Sequence, residues 1–185
     1  MSQQRTAAAQ TEGKFKDEIV PLTTKMDVIN KETKEVSEQE VTVDKDECNR
    51  PQTTIESLAG LQPVMGPDKY ITAGNASQIS DGGSAVIVVS KEFCDRHELM
   101  PLAECISYGQ VAGPDTSLLT QPSQAILNAL EETGIALEDI DLFEINEAFA
   151  AVSVASVSDL GISDEIVNVN GGAIALGHPI GMSGN

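Results

Sequence analysis

NVNGGAIALGHPIGMSGN, residues 168–185, closes the chain and decides how the rest is read. Five glycines surround one imidazole, His178, which is followed by Pro179. A histidine in a segment with this much backbone freedom reads as a placed chemical group rather than core filler. The residues leading into the loop, 166–169, read as a strand, and a further helix is expected to start near Met182.

Upstream, residues 148–159, AFAAVSVASVSD, are apolar with only small polar interruptions, which predicts a helix enclosed on most sides. Residues 140–145 read as a strand. Residues 122–132 read as a helix with Ile126, Ala129 and Leu130 on one face and Gly134 as its stop. Residues 102–108 can form a strand. This alternation of strand and helix implies a layered α/β fold with right-handed crossovers. Residues 81–90, DGGSAVIVVS, are a glycine turn followed by an apolar β-branched run, predicted to be a strand buried on both faces. Residues 91–100 look helical, and Pro101 ends them.

Nearer the start the pattern is more polar. Residues 50–60 suit a loop entering a short helix, with Thr53 or Thr54 as cap, Glu56 in the first turn and Gly60 at the end. Residues 25–49 alternate charges with Val and Thr, which fits an exposed hairpin or a mobile linker equally. Residues 18–22, EIVPL, look extended, and residues 2–11 read as a helix with Ser2 as cap and Gly13 as stop.

The 185 residues fit one domain or parts of two, and 41% hydrophobic content suffices for a core. The net charge is −18, and nine of the eleven Lys and Arg lie between Arg5 and Lys69. No basic cluster exists to bind nucleic acid. If a phosphate-bearing ligand binds, its cations must come from the first third of the chain. No apolar run is long enough to span a bilayer, and the first residues lack a signal peptide's apolar core, so a cytoplasmic protein without membrane contact is expected. Cys48, Cys94 and Cys105 are far apart and odd in number, which indicates neither a disulfide framework nor a zinc site. Two histidines, His97 and His178, make an imidazole-based metal centre unexpected.

Ligands of open α/β sheets gather at the carboxyl ends of strands. Two motifs stand there: Asn146-Glu147-Ala148-Phe149-Ala150 and Gly177-His178-Pro179. If the two strands are neighbours, Asn146 and His178 face one hollow. Such a pair suits carbonyl chemistry, because an imidazole can take a proton near neutral pH and an asparagine amide can donate to a developing oxyanion. Each residue has a plainer reading. Asn146 can cap the helix that follows, and His178 can satisfy loop carbonyls. Spacing and composition do not choose.

The blocks NEAFAA and NVNGGAIALGHPIGMSG closely resemble the two C-terminal signatures of the thiolases, the acetyl-CoA acetyltransferases and 3-ketoacyl-CoA thiolases. ITAGNASQISDGGSAV, RPQTTIESLAGLQPV, SQQRTAAAQTEGKFKDEIVPL and SYGQVAGPDTSLLTQPSQAI resemble earlier thiolase segments, so the resemblance spans nearly the whole chain. It implies a thiolase-like layered α/β/α fold, incomplete: residues 1–70 from the loop domain, 71–100 from the last strand and helix of the N-terminal domain, 101–185 from the C-terminal domain.

The same resemblance implies a Claisen condensation of acetyl-CoA, or thiolysis of a 3-ketoacyl-CoA. It assigns His178 as the base that activates a cysteine and helps bind the thioester oxygen, and Asn146 as holder of an oxyanion-site water. Arg50 and Ser57 would lie near the nucleotide end of coenzyme A and Met65 near the adenine. Ala73 would line the pantetheine tunnel, and Ser77 would hydrogen-bond the arm. Coenzyme A thioesters would be substrates, with no tightly bound cofactor, in a homo-oligomeric parent enzyme.

There are departures. Gln78 stands where the family usually has glycine, Ser80 where asparagine is common, and Asn185 where a small residue continues into a helix. Both cysteine segments of the family lie outside these 185 residues, so the chain is expected to be inactive alone, as a thiolase fragment or a coenzyme A- or lipid-binding module.

Overall fold

The computed structural model describes residues 1–184; the Asn185 departure lies outside them. Helix α1 spans Ser2–Thr11. Strands β1, Leu22–Ile29, and β2, Val36–Val43, follow, then the short helices α2, Ile55–Ala59, and α3, Lys91–Arg96. Helices α4, Gln121–Thr133, and α5, Ala150–Leu160, are the longest of the second half, and α6 is a single turn, Ala173–Leu176.

Local signals set most of these boundaries. Thr54 and Ser57 form a reciprocal capping box at the start of α2. Gly134, at φ 71°, and Gly161, at φ 65°, end α4 and α5 in the left-handed conformation that glycine adopts freely. Helix α3 stops at His97, short of the expected residue 100, because Glu98 takes φ 52°. The 25–49 excursion is a hairpin: β1 and β2 pair antiparallel from Leu22↔Val43 to Ile29↔Val36. Asn30 Oδ1 accepts the amides of Glu32 and Thr33 and shapes its turn. The expected cap at Ser2 is not used as one: Met1 is the N-cap, and the Ser2 hydroxyl reaches Glu147 instead. The residues near Met182 form a turn, closed by the Met182 and Ser183 amides on Pro179 O.

The core gathers Phe143, Ile145 and Val167, with Ile126 of α4 and Val157 of α5 packed against it. Residues 140–145 and 166–169 meet in one parallel bridge, Phe143↔Val167. Phe143 donates to Ile166 O at 2.9 Å and accepts from the Asn168 amide at 2.9 Å. The side chain of Asn168 then extends the pairing. Its Oδ1 accepts the Ile145 amide and its Nδ2 donates to Ile145 O, both at 2.8 Å.

Two expected strands do not form among the described residues. Residues 81–90 form no backbone ladder, and Ile87 is 89% exposed. Residues 102–108 likewise form no ladder, with Leu102, Ile106 and Tyr108 in solvent. A strand buried on both faces needs a hydrogen-bonded neighbour and covering layers. Among the described residues neither segment joins a backbone ladder; side-chain bonds tie them down instead, Ser84 to Met182 O and Ser107 to Ala129 O.

Candidate active site

Asn146 follows the bridged segment directly and lies just before α5. It does not cap that helix. The N-cap is Phe149, without a side-chain cap. The Asn146 side chain turns toward His178 instead: Nδ2 stands 3.2 Å from Nε2 and 3.4 Å from Nδ1. The amide nitrogen is thus nearly equidistant from both ring nitrogens and can donate to whichever lacks a proton. Asn146 is exposed and His178 half-buried, so the pair is open to an incoming molecule.

The position of His178 is built from three directions. Helix α6 ends at Gly177, whose φ of 97° and ψ of 164° swing the chain out of the turn. Pro179 follows and has no amide hydrogen. The His178 amide donates to Gln78 O at 3.3 Å, which ties the loop to the 73–80 segment. That segment pairs with the other motif: Ala76 bridges Phe149, Ser77 donates its amide to Ala148 O at 3.0 Å, and Ala150 donates to Asn75 O at 2.9 Å. Three segments far apart in sequence therefore meet around Asn146 and His178.

Glu147, beside Asn146, has its own task. It is buried, and Oε2 accepts the Ser2 hydroxyl at 2.7 Å and the Ile174 amide at 3.1 Å. It thereby holds the start of α6 and the start of α1 together. Ser2 Oγ also accepts the Gly172 amide at 3.0 Å. Neighbouring Glu144 is exposed, yet its carboxyl is held above the usual carboxylate range, first by partial desolvation and second by the negative charge of Glu147.

The remaining sequence-derived candidates are placed less closely. Ser77 is half-buried in the pairing just described. Ala73 is exposed, one residue before Gly74, against which Leu58 and Leu61 pack. Arg50 is exposed; its guanidinium donates to Glu47 O at 3.1 Å and Cys48 O at 3.2 Å. Cys48 O is also an acceptor of Gln78 Nε2, so Arg50 is two hydrogen bonds from the His178 loop's anchor. The Ser57 hydroxyl is occupied in its capping box. Met65 is 75% exposed, and no contact brings it to the Asn146–His178 pair.

The hollow expected between Asn146 and His178 is not a closed one. A cavity of about 350 Å³ lies beside Glu147, lined also by Ser2, Arg5, Val157 and Asn168. Another, of about 690 Å³, lies between Gly109 and the first turn of α4. Neither includes Asn146 or His178. Sequence reading assigned no role to Glu147 and took Gln78 only as a departure near the pantetheine position, bearing on acyl preference or binding. Their partners are Ser2, Cys48 and Ile174, which no local pattern links to them.

Two family descriptions match this chain and meet near its middle. Residues 1–92 match "Thiolase, N-terminal domain" and residues 99–185 match "Thiolase, C-terminal domain". The chain belongs to the thiolase family. It is 49% identical to the "Probable acetyl-CoA acetyltransferase" of Mycolicibacterium smegmatis over 99% of its own length and 45% of that protein. It is 45% identical to the 3-ketoacyl-CoA thiolase of Bacillus subtilis over 99% of its length and 46% of the relative. A crystal structure of human mitochondrial 3-ketoacyl-CoA thiolase in complex with CoA aligns with 99% of this chain at TM-score 0.82 and 44% identity, covering 43% of the human chain. The architecture is thus part of the α/β thiolase fold. The chain spans less than half the length of the thiolases it matches. No helix among the described residues is long and apolar enough to cross a membrane.

Proposed function

We propose that this chain carries the base and oxyanion elements of a thiolase-type acyl-CoA C-acetyltransferase, acting in Claisen condensation of acetyl-CoA or in thiolysis of a 3-ketoacyl-CoA. The observation that supports this is the approach of Asn146 Nδ2 to the His178 imidazole at 3.2 Å, beyond the end of the bridged segment. In this reading the neutral imidazole of His178 takes the proton of a cysteine thiol and leaves a thiolate to attack the thioester. Charge then builds on the thioester oxygen, and two donors stabilise it: the protonated ring and a water held by the Asn146 amide.

Coenzyme A thioesters are the substrates, and no tightly bound cofactor is required. Ser77 and Ala73 would follow the pantetheine arm, Arg50 and Ser57 the nucleotide end, and Met65 the adenine. Arg50 suits a phosphate because it lies in the stretch from Arg5 to Lys69 that holds nine of the eleven Lys and Arg. The working enzyme is read as a cytoplasmic homo-oligomer.

The attacking cysteine is not among the three present. Cys94 is buried on α3, Cys105 is exposed beside Ser107, and Cys48 is half-buried without a base aligned on it. The 185 residues alone are therefore expected to show no thiolysis of acetoacetyl-CoA with free coenzyme A, and turnover would overturn these assignments. The positive arm is a chimera in which this chain replaces the matching segment of the Bacillus subtilis relative. Thiolysis should appear and fall at least about a hundredfold with His178→Ala. An active chimera indifferent to that substitution would sink the proposal.

A second reading is favoured by the exposed apolar segments near Ile87 and Leu102: a non-catalytic piece that binds coenzyme A or a lipid, or docks onto a partner. Fatty-acyl binding without turnover in either format would select it.

A further inference from the structure

Gln78 and Ile79 interrupt a stretch that otherwise reads as small residues and turns, AGNASQISDGG. The Gln78 side chain is half-buried and stretched between two distant segments. Nε2 donates to Cys48 O at 2.5 Å and to Ile174 O at 3.3 Å. A primary amide carries two hydrogens on one nitrogen, so both carbonyls can be served at once. The backbone oxygen of the same residue accepts the His178 amide at 3.3 Å and the Ser80 hydroxyl at 3.1 Å.

The His178 amide is the last strut before the imidazole. Gly177 donates to Ala173 O within the α6 turn, and Pro179 has no amide hydrogen to give. Between them, Gly177 at φ 97° has no side chain to restrict the backbone, and a Cβ there would stand 2.2 Å from Ser80 Oγ. The loop thus passes close against the 78–80 segment, and its one backbone donor at this point lands on Gln78.

We propose that Gln78 is the positioning residue of His178: its side-chain amide clamps Cys48 and Ile174 together, and its carbonyl, fixed by that clamp, holds the His178 backbone so that the imidazole faces Asn146. The inference deepens the acyl-transfer reading and takes its catalytic meaning from it, but the geometry is tested without any acyl-CoA. A failure here is therefore separate from a failure of the chimera.

Two substitutions in the 185-residue chain remove the clamp and keep its length. Gln78→Met has no donor, and Gln78→Glu turns acceptors toward two carbonyls. Backbone amide exchange at fixed pH and the ¹H and ¹³C signals of the His178 ring are recorded by NMR. The expected result is about tenfold faster exchange of the His178 amide in both variants, the effect of one lost hydrogen bond. The His178 ring signals should move toward those of a free imidazole, while the amides of Phe143 and Asn168, in the bridged core, keep their protection.

Unchanged His178 exchange in Gln78→Met overturns the proposal. So does equal acceleration at Phe143 and Asn168, which would mark general loosening. A His178 amide that already exchanges like a disordered peptide in the unsubstituted chain overturns it as well.

Discussion

Residues 140–145 and 81–90 carry similar local signals, and the molecule treats them in opposite ways. Both contain β-branched and other apolar residues, and both read as strands. The first places Phe143 at 6% exposure, bridged to Val167 and covered by α4 and α5. The second leaves Ile87 at 89% exposure with no ladder. Propensity is shared between them; what differs is the presence of a neighbour. A strand is a relation between two segments, and burial follows the relation rather than the composition.

The sharpest way to break that comparison is one substitution in each region. Phe143→Ala removes a ring from the centre of the core and should cost about 3–4 kcal/mol, read as a lower urea midpoint. Ile87→Ser should change the midpoint by no more than about 0.5 kcal/mol, because the side chain is already in water. Sedimentation should show less self-association for Ile87→Ser, since an exposed apolar edge is what other chains stick to. Equal losses at both positions would mean that residues 81–90 are covered in solution, and the contrast would fail. A broad, uncooperative transition of the parent chain would favour the reading of a piece that folds only with a partner.

Asn168 sharpens the same contrast from the polar side. It is 3% exposed, and its amide replaces a peptide unit opposite Ile145. Its φ of 48° lies where asparagine is tolerated and β-branched residues are not. Asn168→Ala would strand a buried N–H and a buried C=O on Ile145, each costing about 1–2 kcal/mol, for a total of about 2–4 kcal/mol. Asn168→Asp keeps the acceptor but turns a buried carboxylate oxygen toward Ile145 O, so at pH 7 it should cost at least as much as Ala. An urea titration of the three chains checks this, and an Asn168→Ala chain as stable as the parent would contradict the pairing.

These cases show what could be read beforehand. The ends of α2, α4 and α5 were legible because Thr54, Gly134 and Gly161 act within one turn of themselves. Asn146 and His178 were legible as motif residues, and their 3.2 Å approach accompanies the bridge that makes residues 140–145 and 166–169 neighbours. The short helix α6 was hidden inside what looked like a glycine loop. Glu147 gave no signal because Ser2, its partner, lies 145 residues away. Gln78 stood out only as a departure, and its bond to Ile174 spans 96 residues. That residues 81–90 and 102–108 join no ladder could not be read either, since no local pattern states whether a partner strand exists.

The smallest expected effect concerns the carboxylates beside the site. Glu144 is held above the usual carboxylate range by partial desolvation and by the charge of Glu147. A carboxyl whose folded-state pKa is raised binds its proton more tightly in the folded chain than in the unfolded one. Its contribution is therefore favourable at acid pH, below the unfolded glutamate value near pH 4, and is lost as pH rises through the folded value. At pH 7 the ionised side chain is a mild burden, screened by solvent to less than about 1 kcal/mol. Glu144→Gln removes that burden, so its urea midpoint should exceed the parent's at pH 7 and the gap should close below about pH 4. A substitution that also frees Glu147 from its neighbour's repulsion leaves the Ser2 and Ile174 bonds in place, so the gain should appear without any change in the Ile174 amide signal. A gap that widens toward acid would mean that Glu144 is stabilised as an anion, with the sign of its coupling to Glu147 reversed.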